Sequence, residues 1–343
     1  MAEPTMKSQA WGLFDQVVAE APLRGVNPWV VVNNNLEFRP DYSTLERLLG
    51  VPVFLGALSQ SGVPALAVDV WTAYELRRAG FHPDRVWPRA EAPRVLPPDV
   101  AALVESLPRD LRSAVQQRLD KGFSGGTASA SANLLGKNYV KQVDVVMSTW
   151  QTGPELMIST KRMDSSFGKN AANRVEESYG DAKNLSLRHP QAALGFMYSL
   201  RSTAFTEESD TAAWLLDLLA KLGREDDAYD AVGLIVPEWN SPVPPGDDAG
   251  ALEDAAPIDI DLAIPSDSAA QQVPRVQISV NSLPQVTLRH DLIPSELAPG
   301  RFFELMTTTV LMNTPINMHR DARALRARPL PVEPTVTLAV DEV

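Results

Sequence analysis

Apolar and polar positions fall into short apolar runs set between longer amphipathic ones. In the first 95 residues, Trp29–Val32 reads as a strand, 33–35 as a turn and 52–58 as a strand or buried helix. VWTAYELRRA (70–79) reads as a helix stopped by Gly80. RAEAPRVLPPD (89–99) is a Pro-rich connector. Beyond it, 100–105 and 111–119 read as helices, and GFSGGTASASA (122–132) as a small-residue loop or helix entry. YVKQVDVVMSTW (139–150) and ELMISTK (155–161) read as strands around the turn QTGP. Residues 170–187 read as a helix, ALGFMYSL (193–200) as a buried strand, 208–222 as an amphipathic helix closed by Gly223, and 232–239 as a further strand. Helix, strand, strand, helix, strand, helix, strand is the order of an α/β sheet with helices packed on it.

The rest of the chain divides by composition. Residues 241–272, rich in Pro, Asp and Ala, read as a flexible acidic linker. After it, 276–280 and 285–288 read as short strands, 301–312 as a helix, and RALRARPLPVEP (323–334) as a basic, then Pro-rich tail. The expected units are an N-terminal α/β domain (1–95) for recognition or partner docking, a core (96–240), the linker (241–272) and a C-terminal accessory region (273–343).

Composition narrows the chemistry. Hydrophobic residues make up 44% and charged residues 22% of the 343, ordinary for a soluble globular protein, and no apolar run approaches the roughly 20 residues of a membrane span. The N-terminus lacks a basic-then-apolar export pattern. The absence of cysteine excludes disulfides, thiol catalysis and thiolate-bound zinc, and fits a cytoplasmic setting. The 4 His are too scattered for a His-rich metal site. The net charge of -12 is unevenly spread: acid gathers between Glu207 and Asp267, whereas 99–201 carries Lys121, Lys137, Lys141, Lys161, Lys169, Arg174 and Lys183. Because salt screens charge beyond roughly 10 Å, a basic face for phosphates can coexist with acidic flanks.

The hairpin supplies the candidate chemistry. With Gln151 to Pro154 as its loop, Trp150 pairs with Glu155, and Asp144 falls opposite Lys161. Ser159, two residues from Lys161, shares that face. An acid, a hydroxyl and an ammonium at one sheet end suit phosphodiester hydrolysis. The carboxylate would bind a divalent metal that activates water, and the lysine would offset charge building in the transition state. A second acid is needed; Glu155 lies about 20 Å along the strand, too far to share one ion. Glu176 and Glu177, on the following helix, are the candidates, and either could serve.

This arrangement resembles the PD-(D/E)XK nuclease core, with Ser159 standing where the pattern has an acid. The following stretch, SSFGKNAANRVEESYGDA (165–182), is similar to S-F-G-x-N-x-x-N-R-x-E-E-x-x-G-x-A, which follows the active-site lysine in XhoI-type type II restriction endonucleases. The resemblance implies a restriction-endonuclease-like α/β fold: a mixed central sheet flanked by helices, here with additional N-terminal α/β and C-terminal regions. It implies a Mg2+-dependent endonuclease (Mn2+ a possible substitute) cutting double-stranded DNA in anti-phage defence. Asp144 with Glu176 or Glu177 would hold the metal, and Lys161 would serve the water with Ser159 beside it. Lys169, Asn170, Asn173 and Arg174, near a helix N-terminus with free N–H groups, would meet phosphates or base edges. Two strands to cut imply a homodimer or a larger assembly. The alternatives are a nuclease subunit of a multi-protein defence complex, active only with partners, and a catalytically decayed DNA-binding protein.

Overall fold

The computed structural model describes residues 5–120, 132–225, 228–240 and 282–331. The expected loop at 122–131, the linker 241–272 and the strand 276–280 lie outside the described residues, as do the side chains of Asp120, Lys169 and Asn170.

The chain begins with helix α1 (Met6–Ala19), followed by a hairpin of β1 (Trp29–Val32) and β2 (Asn35–Phe38). Asn33 and Asn34 turn it with φ 50° and 65°, the left-handed conformation a two-residue hairpin loop requires. α2 (Tyr42–Phe54) is capped by Asp41, whose carboxylate accepts from the Thr44 N–H at 3.1 Å. It takes in the start of the stretch read as strand or buried helix. α3 (Val63–Arg78) begins seven residues before its expected start at 70 and is buried on nearly all sides. It is followed by Gly80, whose φ of +94° ends the helix as expected.

After β3 (Val86–Trp87) come α4 (Pro98–Ser106) and α5 (Arg109–Asp120), then a small hairpin of β4 (Ala132–Leu135) and β5 (Val140–Val143). The run 139–150 is two strands rather than one: β5 ends at Val143, β6 (Val145–Thr149) begins at Val145, and Asp144 is the break. β7 (Gly153–Met163), α6 (Phe167–Ser186), β8 (Ala193–Leu200), the short α7 (Ala204–Glu207), α8 (Ser209–Leu222) and β9 (Ala231–Ile235) then follow, the long elements as expected. β10 (Pro237–Glu238) pairs with β11 (Thr287–Leu288). α9 (Pro299–Asn313) precedes α10 (Arg320–Ala327), a helix that takes in the start of the stretch read as a basic, then Pro-rich tail, and β12 (Leu330–Pro331) lies parallel to β1. Arg323 folds α10 back onto α9 by donating to Leu311 O at 2.7 Å and Thr314 O at 2.9 Å.

The protein is a mixed α/β fold around a five-stranded mixed sheet of order β3-β6-β7-β8-β9. The first two pairings are antiparallel, and the last two parallel through the α6 and α8 crossovers. Alternation along β7 and β8 splits the core in two. Leu156, Ile158, Ala193 and Met197 join α1–α3 and the Phe302, Phe303 and Met306 face of α9. Met157, Met163, Leu194, Phe196 and Tyr198 pack beneath α6 and α8. Helices α1–α3 and α9 thus cover one face of the sheet. Gly195 and Gly233 let α9 lie close there: a Cβ on Gly195 would come within 2.9 Å of Met306 Sδ.

Candidate active site

The sheet register decides whether the proposed residues meet. β6 and β7 pair as Val145 with Ile158, so one residue further out Asp144 stands beside Ser159, not Lys161. The expected pairing was off by two residues, for two reasons. The loop is 150–152 rather than 151–154, because Gly153 (φ +68°) pairs with Thr149. Then the register jumps from Ser148–Pro154 to Met147–Leu156, leaving Glu155 as a bulged extra residue. The short loop alone would displace the pairing by three, an odd slip that puts Asp144 on the opposite face; the bulge returns one. The net even offset keeps Asp144, Ser159 and Lys161 on the α6 face.

Each of these side chains has a defined neighbour. The Thr160 N–H donates to Asp144 Oδ2 at 2.7 Å, fixing the carboxylate beside β7. Thr160 points to the other face, where its hydroxyl bonds Asp69 of α3. Lys161 Nζ lies 3.8 Å from Glu177 Oε1, with the lysine buried and the glutamate partly exposed. Ser159 is buried and hydrogen-bonds the Tyr229 phenol. Burial first, then the charges of Asp181 and Asp144, push the Tyr229 pKa upward, so the phenol stays neutral. It donates to Ser178 O at 2.8 Å. Tyr198, paired with Lys161 in the parallel ladder, also has a raised pKa; burial causes it and the nearby Arg174 opposes it.

The structure separates the two glutamates. Glu177 turns to the site; Glu176 lines a groove between α6 and α8 with Tyr179, Trp214 and Leu218. The difference follows from the 100° step between neighbouring helix positions. Glu177, Asp181 and Asn184 form the stripe at i, i+4 and i+7. Lys141 Nζ lies 3.3 Å from Glu177 Oε1 and 2.7 Å from Asp181 Oδ2. Asp181 also accepts from the Tyr139 hydroxyl at 3.0 Å, and Asn184 Oδ1 accepts from the Asn138 N–H at 2.8 Å. All three residues of this stripe therefore contact the β4–β5 hairpin.

Asn173 is exposed and Arg174 half-buried. The helix N-terminus expected to be open to phosphate instead holds the Glu208 carboxylate, which accepts from the Gly168 N–H at 2.6 Å. Glu155, too far along the strand to share an ion with Asp144, is buried. Burial works to raise its pKa, but hydrogen bonds from His319 and Thr152 outweigh that and hold it below the ordinary carboxylate range.

Sequence reasoning missed Lys141 and Tyr229. Lys141 carried a signal, since it lies three positions before the acid that breaks the strand. Tyr229 carried none: it is an isolated aromatic in the approach to β9. Among the described residues there is no group of three or more acids and histidines placed to hold a metal ion, and no helix is long and apolar enough to cross a membrane. Compared with family models, curated proteins and solved structures, the chain matches none.

Proposed function

We propose that the chain is a Mg2+-dependent endonuclease of the PD-(D/E)XK type acting on duplex DNA. The carrying observation is the register: Asp144 beside Ser159, Lys161 one step along the same face, and Glu177 of the next helix within 3.8 Å of the lysine. The antiparallel hairpin running through a helix into parallel strands supports the same core.

Asp144 and Glu177 are the carboxylates that would hold the ion; both offer the oxygen ligands Mg2+ prefers, and waters and a phosphate oxygen would complete its shell. When bound, the ion neutralises phosphate charge and acidifies a coordinated water. The Thr160 N–H fixes the Asp144 carboxylate beside β7. Glu177 and the strand together hold the Lys161 ammonium, which offsets charge accumulating on the scissile phosphate. Ser159, tied to Tyr229, acts as a spacer that sets the distance between Asp144 and Lys161. Arg174 and Asn173 extend the face toward the DNA backbone. Cutting both strands requires two such sites, hence a homodimer or a larger defence assembly.

One observation favours a second reading, a binding protein that has lost catalysis: Lys141 engages both Glu177 and Asp181, which leaves the site short of acids. Plasmid cleavage separates the two. The wild type is expected to nick and linearise DNA with Mg2+ or Mn2+, and Asp144→Asn or Lys161→Met to lose about 100-fold or more. DNA binding by the wild type with no cleavage under either metal, alone or with the products of its genomic neighbours added, would establish the second reading.

A further inference from the structure

On the α3 side of the molecule, away from Lys161, a cavity of about 600 Å³ opens between α1, α3 and the 88–94 loop. Four guanidinium groups line it: Arg24, Arg77, Arg89 and Arg94. Two are matched by acids. Arg89 lies 2.6 Å from Asp84. Arg94 lies 2.7 Å from Asp15, with its guanidinium 4.0 Å over the Trp11 ring.

Among the described residues Arg24 and Arg77 form no ion pair, although the charge of Asp15, which is paired with Arg94, also acts on Arg77. Arg24 donates to Ala19 O at 3.4 Å and Arg77 to Pro88 O at 3.0 Å, both neutral carbonyls. Glu91 also lines the cavity, but it is exposed. Burial, then the charges of Arg94 and Arg24, bring the Arg77 pKa down to about 10. Arg24 is exposed and Arg77 half-buried at the cavity wall, so their like charges repel across it and an anion seated between them would relieve that repulsion. The wall is also preformed: the Arg89 N–H donates to Arg94 O at 2.7 Å, Arg94 to Ala90 O at 2.6 Å, and Gln116 to Ala92 O at 3.2 Å.

We propose that this cavity binds a phosphate-bearing small molecule of about nucleotide size, gripped by Arg24 and Arg77. Guanidinium groups recognise phosphate oxygens through paired N–H donors, and the volume lies within the range of small-ligand pockets. The site is independent of the proposed nuclease chemistry and needs no metal.

Calorimetric titration of the full chain with pyrophosphate and with AMP, in EDTA at constant ionic strength, tests it. Saturable binding of at least one is expected, weakened at least about tenfold by Arg24→Ala and by Arg77→Met. Arg24 is exposed, so its alanine variant decides the matter if Arg77→Met does not fold. Unchanged affinity in Arg24→Ala would overturn the proposal. So would no binding by the wild type, or a dependence on Arg24 seen only with a duplex oligonucleotide.

Discussion

Glu176 and Glu177 are neighbours of identical chemistry, and only the helix phase tells them apart. Glu177 reaches Lys161 and Lys141 over the sheet, whereas Glu176 faces Trp214 across the groove to α8. Glu177→Gln is therefore expected to reduce metal-dependent plasmid cleavage by about 100-fold, while Glu176→Gln stays within about twofold of the wild type. Equal losses in the two variants would mean that the helix face has been misassigned. The pair was named in the sequence, but the choice between them needed the helix placed over the sheet. Ser159 shows the same division. Its position beside the lysine follows from strand alternation, while its bond to Tyr229 comes from a residue 70 positions downstream, which no local pattern announces.

At the level of elements, the β6–β7 hairpin depends on its bulge. Glu155 is the extra residue, and its side chain is held by Thr152 at 2.6 Å and by the His319 ring at the start of α10. Deleting Glu155 removes the residue that restores parity, which would turn Asp144 to the α3 face or tear the hairpin; cleavage is expected to vanish even where a folded protein is recovered. His319→Ala removes one of the two side-chain hydrogen bonds to the buried carboxylate and is expected to cost roughly 1–3 kcal/mol in urea unfolding. A loss below about 1 kcal/mol would show that the pair contributes little. Strand identities were legible because alternation and apolar runs are local. The register was not, because loop length and bulge are set by Gly153 and by a histidine more than 160 residues away.

Across the whole molecule, the buried contact between α2 and α3 introduces a pH dependence. Glu75 is fully buried beside Arg78 and accepts from the Asp41 N–H at 2.7 Å. Burial outweighs the Arg78 charge and raises its pKa to about 7. A carboxyl with a raised folded-state pKa supports the fold fully below its unfolded value, and that support is lost as pH climbs through the folded one. Unfolding free energy is expected to fall by roughly 3 kcal/mol between about pH 4.5 and 7.5, and Glu75→Gln to flatten that slope. Melts recorded across this window check both; a wild type that gains stability over it would contradict the assignment.

The sequence by itself determined the order of the long elements from β7 to β9, the alternation of the central strands, the polar helix between them and the shared face of Ser159 and Lys161. These follow from local periodicity and from the types of side chain present. Only the tertiary structure decided the register, the capture of the α6 N-terminus by Glu208, the packing of α1–α3 and α9 against one face of the sheet and the arginine-lined cavity. Each of those depends on contacts between residues distant in the chain, whose energies no window of neighbouring residues contains.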